Sequence, residues 1–87
     1  QKQLRLQAFP NPAVGASTLQ WGQGRSGNAL LQAYNSSGQL VRQWEVALEQ
    51  GQHSLQLYDW AAGLYTLSLQ AENGQPLGTT RLLVKPE

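Results

Sequence analysis

Leu64-Tyr65-Thr66-Leu67-Ser68-Leu69-Gln70-Ala71-Glu72-Asn73-Gly74-Gln75 decides the fold. Tyr65, Leu67, Leu69 and Ala71 alternate with Thr66, Ser68 and Gln70, the period-two pattern of a strand with one wet face. Asn73-Gly74 then suits a type I′ turn, whose central residues take a positive φ that Asn and Gly tolerate. Thr79 to Lys85 follows as the returning strand, rich in Leu and Val. The C-terminal quarter therefore reads as a β-hairpin.

The same pattern extends outward. Leu4, Leu6 and Ala8 alternate with Gln3, Arg5 and Gln7 in a first strand. Ser17 to Trp21, Ala29 to Tyr34, Gln39 to Val46 and Ser54 to Tyr58 supply four more. Asn35-Ser36-Ser37-Gly38 joins two of these as a turn in which Gly38 takes the positive φ. Phe9-Pro10-Asn11-Pro12 stands apart, because two prolines flanking an asparagine are not expected to continue a paired strand. About seven strands at a spacing of roughly 8–12 residues predict an all-β, seven-stranded antiparallel Ig-like β-sandwich. Trp44 to Gln50 is the one stretch ambiguous between strand and helix.

Composition sets the limits. The 87 residues suit a single domain, 1–87, and 40% hydrophobic with 13% charged residues supports a folded core. Six Lys and Arg against five Asp and Glu leave 6 − 5 = +1, too little cationic excess for nucleic acid. With no cysteine, disulfides, thiolate metal sites and Cys nucleophiles are excluded. No apolar run approaches the ~20 residues that span a bilayer, so no membrane insertion is expected. Lacking Met and a leader-like start, the chain is expected to be a piece of something longer.

Catalysis fares poorly by inventory. His53 is the one histidine and Asp59 the one aspartate; Glu45, Glu49, Glu72 and Glu87 show no spacing that suggests paired carboxylates. His53, Asp59 and Glu49 are too few and too scattered for a metal site. No nucleophile elbow and no phosphate-cradling loop is present. The reading is of a non-enzyme without cofactor. Trp21, Trp44, Tyr58 and Trp60 invite comparison with a sugar-stacking platform, but Trp21 and Trp44 follow the apolar faces of their strands. Trp60, beside Asp59, is the one expected at the surface.

Leu82, Leu83 and Val84 are consecutive apolar residues. Such a run suits either a strand covered on both faces or an edge offered to a partner. An exposed terminal strand would also allow a homodimer through edge pairing.

Four blocks, in order, resemble one known family. Phe9-Pro10-Asn11-Pro12-Ala13 looks like the aromatic-Pro-Asn-Pro-small box that opens the C-terminal sorting domains of the type IX secretion system. Ala33-Tyr34-Asn35-Ser36-Ser37-Gly38-Gln39-Leu40-Val41 resembles that family's hairpin, and Trp60-Ala61-Ala62-Gly63-Leu64-Tyr65 its Gly-apolar-Tyr segment. Thr80-Arg81-Leu82-Leu83-Val84-Lys85 is similar to its closing strand. Trp60 stands where the family usually has Leu. Arg81 replaces its usual Lys, keeping the charge while changing its geometry.

The resemblance implies a C-terminal export label of the Bacteroidota, carried behind a cargo domain. The cargo would reach the periplasm, be directed to the outer-membrane translocon, and be released from the label by a sortase-like peptidase at the cell surface. It places recognition on the signal strand Thr80, Arg81, Leu82, Leu83, Val84 and Lys85. Phe9, Pro10, Asn11, Pro12, Gly38, Gly63 and Tyr65 are expected to shape the domain, Gly63 through a φ that other residues resist. The alternative reading is a carbohydrate- or protein-binding β-sandwich module of a secreted enzyme.

Overall fold

Alternating segments become strands because each can then bury one side chain in two while its backbone groups pair laterally. In the computed structural model, described over residues 4–22 and 24–86, seven do so. They are β1 (Gln7–Val14), β2 (Ala16–Gln20), β3 (Asn28–Tyr34), β4 (Leu40–Ala47), β5 (Gln52–Gln56), β6 (Gly63–Ala71) and β7 (Pro76–Val84). The ambiguous stretch resolves as the end of β4 plus one 3₁₀ turn, Leu48–Gln50, closed by Gly51 at φ 76°.

Strand order is β4-β3-β6-β7-β1-β2-β5. Neighbours pair antiparallel except β1 and β7, which meet in parallel at Ala13 and Val84. β1 serves two sheets. Its first half, Gln7 to Phe9, pairs with Thr18 to Gln20 of β2; the register then breaks before Val14, and Ala13 joins β7. The proline box thus interrupts the β1–β2 ladder as expected, yet the chain stays extended through it instead of turning. Both X-Pro bonds in the box, Phe9-Pro10 and Asn11-Pro12, are cis.

The inner faces of the two sheets meet in one apolar core. Leu19 and Leu55 come from one sheet and Leu31, Leu67, Leu69 and Leu82 from the other, all fully buried. Each such leucine contributes on the order of 2 kcal/mol through burial. This is the expected all-β sandwich, with a single parallel bridge added.

The terminal strand corrects two expectations. It is neither covered on both faces nor an edge. Leu82 and Val84 point inward at 0% and 3% exposure while Leu83 between them is 38% exposed. β7 lies between β6 and β1, so it offers no free edge to a second copy. The open edges among the described residues are β4 and β5.

Candidate functional site

The first and last sequence blocks, some seventy residues apart, are joined by one side chain. The Asn11 amide carries a donor and an acceptor spaced much like a peptide group. Its Nδ2 donates to the Arg81 carbonyl at 2.8 Å, and its Oδ1 accepts from the Leu83 N–H at 3.0 Å. Asn11 therefore supplies the two ladder bonds that a neighbouring strand would give β7 where the prolines flanking it have no N–H to offer. Beyond it, the Lys85 N–H donates to the Ala13 carbonyl at 2.8 Å; at the far end the Leu4 N–H donates to the Leu77 carbonyl at 2.7 Å. Behind the box, Ser17 Oγ, itself buried, donates to the Pro10 carbonyl at 3.0 Å.

Asn11→Ala should remove both bonds and leave the Arg81 carbonyl and Leu83 N–H facing water. At about 1 kcal/mol net per bond, the loss should be roughly 1–2 kcal/mol. For a chain of this size that lowers Tm by roughly 5–15 °C. Thermal unfolding checks the magnitude, and faster exchange of the Leu83 amide checks the place. An unchanged Tm would remove the clamp from the argument.

The two glycine blocks shape the same end of that sheet. Asn35 Oδ1 accepts from the Ser37 and Gln39 N–H groups, both at 3.0 Å, and Gly38 closes the turn at φ 83°. Gly63, at φ 153°, opens β6 in a conformation that disfavours other residues. Two residues later the buried Tyr65 donates its hydroxyl to the Ala61 carbonyl at 2.6 Å, fixing the bend before the strand.

The signal-strand residues divide by side of the sheet. Leu82 and Val84 are core, and Thr80 is half-buried; Arg81, Leu83 and Lys85 are exposed. In the folded domain the last three are the ones most open to a partner. The box residues Phe9, Pro10, Asn11 and Pro12 are likewise exposed.

Most of the aromatics pack on the core and on one another. Trp21 is buried, its Nε1 donating to the Leu48 carbonyl at 2.9 Å. Trp44 and Trp60 stack on each other, centroids 6.2 Å apart and 18° from parallel. Trp60 leans on Tyr65 at 4.8 Å, so it is half-buried rather than at the surface; Tyr58, 71% exposed, is the outward ring. Trp44 also meets His53 at 5.6 Å, bridging the open edges β4 and β5. Burial there pushes the His53 pKa below its usual 6.5. Arg42 and Asp59 add an ion pair beside this seam. His53, Asp59 and Glu49 have separate partners: Trp44, Arg42 and the Gly27 N–H. Among the described residues no three His, Cys, Asp or Glu side chains gather as metal ligands, and no helix is long and apolar enough to cross a membrane.

Sequence reasoning missed the Asn11 clamp, the Trp44–Trp60 stack and Gly78, where the backbone of Leu4 passes closely. Only the clamp left a trace, as an asparagine held between two prolines.

A family model described as the secretion system C-terminal sorting domain matches residues 7–85. No curated protein matches the chain.

Proposed function

We propose, because the chain belongs to the family of type IX secretion-system C-terminal sorting domains, that it acts as a non-catalytic export label for a cargo domain preceding it in the same polypeptide. The cargo passes through the periplasm, and the folded domain then directs it to the outer-membrane translocon. A sortase-like peptidase separates the two, and the cargo ends at the cell surface or in the medium. The observation that carries this reading is the family match, which spans all four sequence blocks from the proline box to the terminal strand. Its physical support is that the first and last blocks are hydrogen-bonded into one unit. A folded domain thus presents both together.

An export assay tests it. A fluorescent protein with a periplasmic signal peptide, fused to this chain, is expressed in a Bacteroidota host with a working type IX system. The intact fusion is expected at the surface or in the medium, and a fusion lacking residues 82–87 in the periplasm. If both stay inside while a known sorting domain is exported, the reading falls.

A further inference from the structure

The outward face of the β3-β6-β7 sheet carries an uneven chemistry. Pairing sets Leu64 opposite Leu83, and in the next outward row Tyr34, Thr66 and Arg81 lie side by side. The row after that is Gln32, Ser68 and Thr79, polar and uncharged. Leu64 and Leu83 are 41% and 38% exposed, an apolar step open to solvent. The β3–β4 turn stands beside the Arg81 row. Tyr34, Gly38, Leu64, Thr66 and Arg81 line a groove there of about 420 Å³. Three sequence blocks therefore converge on one surface.

Among the described residues Arg81 is the only charge lining this groove, and no carboxylate lines it. The ion pair found among the described residues joins Arg42 to Asp59, and among those residues the Arg81 side chain has no acidic partner. An exposed guanidinium flanked by two leucines is complementary to a carboxylate flanked by apolar side chains, which Arg can hold through two parallel hydrogen bonds. Arginines in such settings carry a large share of interface energy.

We propose that this groove is where the domain is read, and that its occupant is a protein segment presenting one carboxylate between apolar side chains. The carboxylate seats on Arg81 and its neighbours cover Leu64 and Leu83. A polyanionic lipid or glycan surface is a poorer complement: it is held by larger clusters of cations, whereas this face offers Arg81 and, beyond Leu83, Lys85, and the chain carries +1 overall. The assignment rests on the sorting reading above and names the partner chemistry of that function.

The export reporter tests it with variants on both features. Arg81→Glu and Arg81→Gln are expected to cut export about tenfold or more, Glu the more severely, at unchanged Tm of the purified domain. Leu64→Ser with Leu83→Ser should do the same through the apolar half. Arg25→Glu, an exposed cation elsewhere, should export normally. If Arg81→Gln folds and exports as the parent does, the groove is overturned while the sorting reading stands. If the parent fusion itself is not exported while a known sorting domain is, both fall. An Arg25→Glu loss as large as that of Arg81→Glu overturns the site in favour of general charge sensitivity. Binding of the purified domain to anionic lipopolysaccharide that is abolished by Arg81→Gln overturns the protein occupant.

Discussion

Leu82→Ala is expected to lower the unfolding free energy by roughly 2–5 kcal/mol, the range for truncating a fully buried leucine. Leu82 has 0% exposure, lies opposite Tyr65 on β6, and belongs to the single core shared by both sheets. A domain of this length holds on the order of 4–13 kcal/mol of stability in total. One side chain of the terminal strand thus accounts for a large part of the margin, and Tm should fall by roughly 10–30 °C. Leu83→Ala, one residue on but on the outward face, should change stability by about 1 kcal/mol or less. Urea unfolding of the two variants decides the matter. Equal losses would mean that β7 is buried on both faces after all. The contrast also bears on export: a truncation removing residues 82–87 deletes core and reading surface together, whereas Arg81 and Leu83 variants touch only the surface.

Gly78→Ala should be the second costly change. By backbone conformation alone the substitution would be mildly favourable, since Gly78 does not occupy the positive-φ region and Ala narrows the unfolded ensemble by about 0.4–1 kcal/mol. Contact decides the opposite sign. An added Cβ would sit 2.5 Å from the Leu4 carbonyl oxygen and 3.3 Å from Leu6 Cγ. A backbone oxygen cannot rotate aside, so residues 4–6 must lift off β7. That breaks the Leu4-to-Leu77 hydrogen bond and uncovers Leu6 and Leu77, each 7% exposed. The expected loss is roughly 2–4 kcal/mol. Denaturant midpoints of Gly78→Ala, measured with and without residues 1–6, test both size and cause. The penalty should vanish in the shortened chain, and a stabilised full-length variant would show that the contact is not limiting.

Much of this fold is legible in the residues because strand alternation and positive-φ turns are local properties. Tyr65, Leu67 and Leu69 alternate with polar neighbours and are indeed the inward residues of β6; Gly38 and Gly63 mark the ends they were expected to mark. What escaped was long-range. Asn11 stands out as an asparagine between two prolines, and that pattern does not tell which strand, seventy residues away, its amide completes. Gly78 sits inside a strand and looks expendable until the Leu4 backbone is seen above it. The run Leu82 to Val84 reads as either two buried faces or an edge offered to a partner, because a residue like Leu83, apolar but outward beside Leu64, cannot be told from core by hydrophobicity alone. Trp60 was placed outside for its neighbour Asp59, but Trp44 and Tyr65 claim its ring.

That β7 is an interior strand has a bearing on synthesis. A nascent chain ending before Pro76 lacks the strand that lies between β6 and β1, so its two sheets have no common seam and Leu67, Leu69 and Ala13 have no complete cover. Pairings this distant in sequence form late and slowly, and closure waits until β7 has been synthesised. A product terminated before Pro76 would therefore never assemble the Arg81 groove, and folding itself becomes a check that β7 is present.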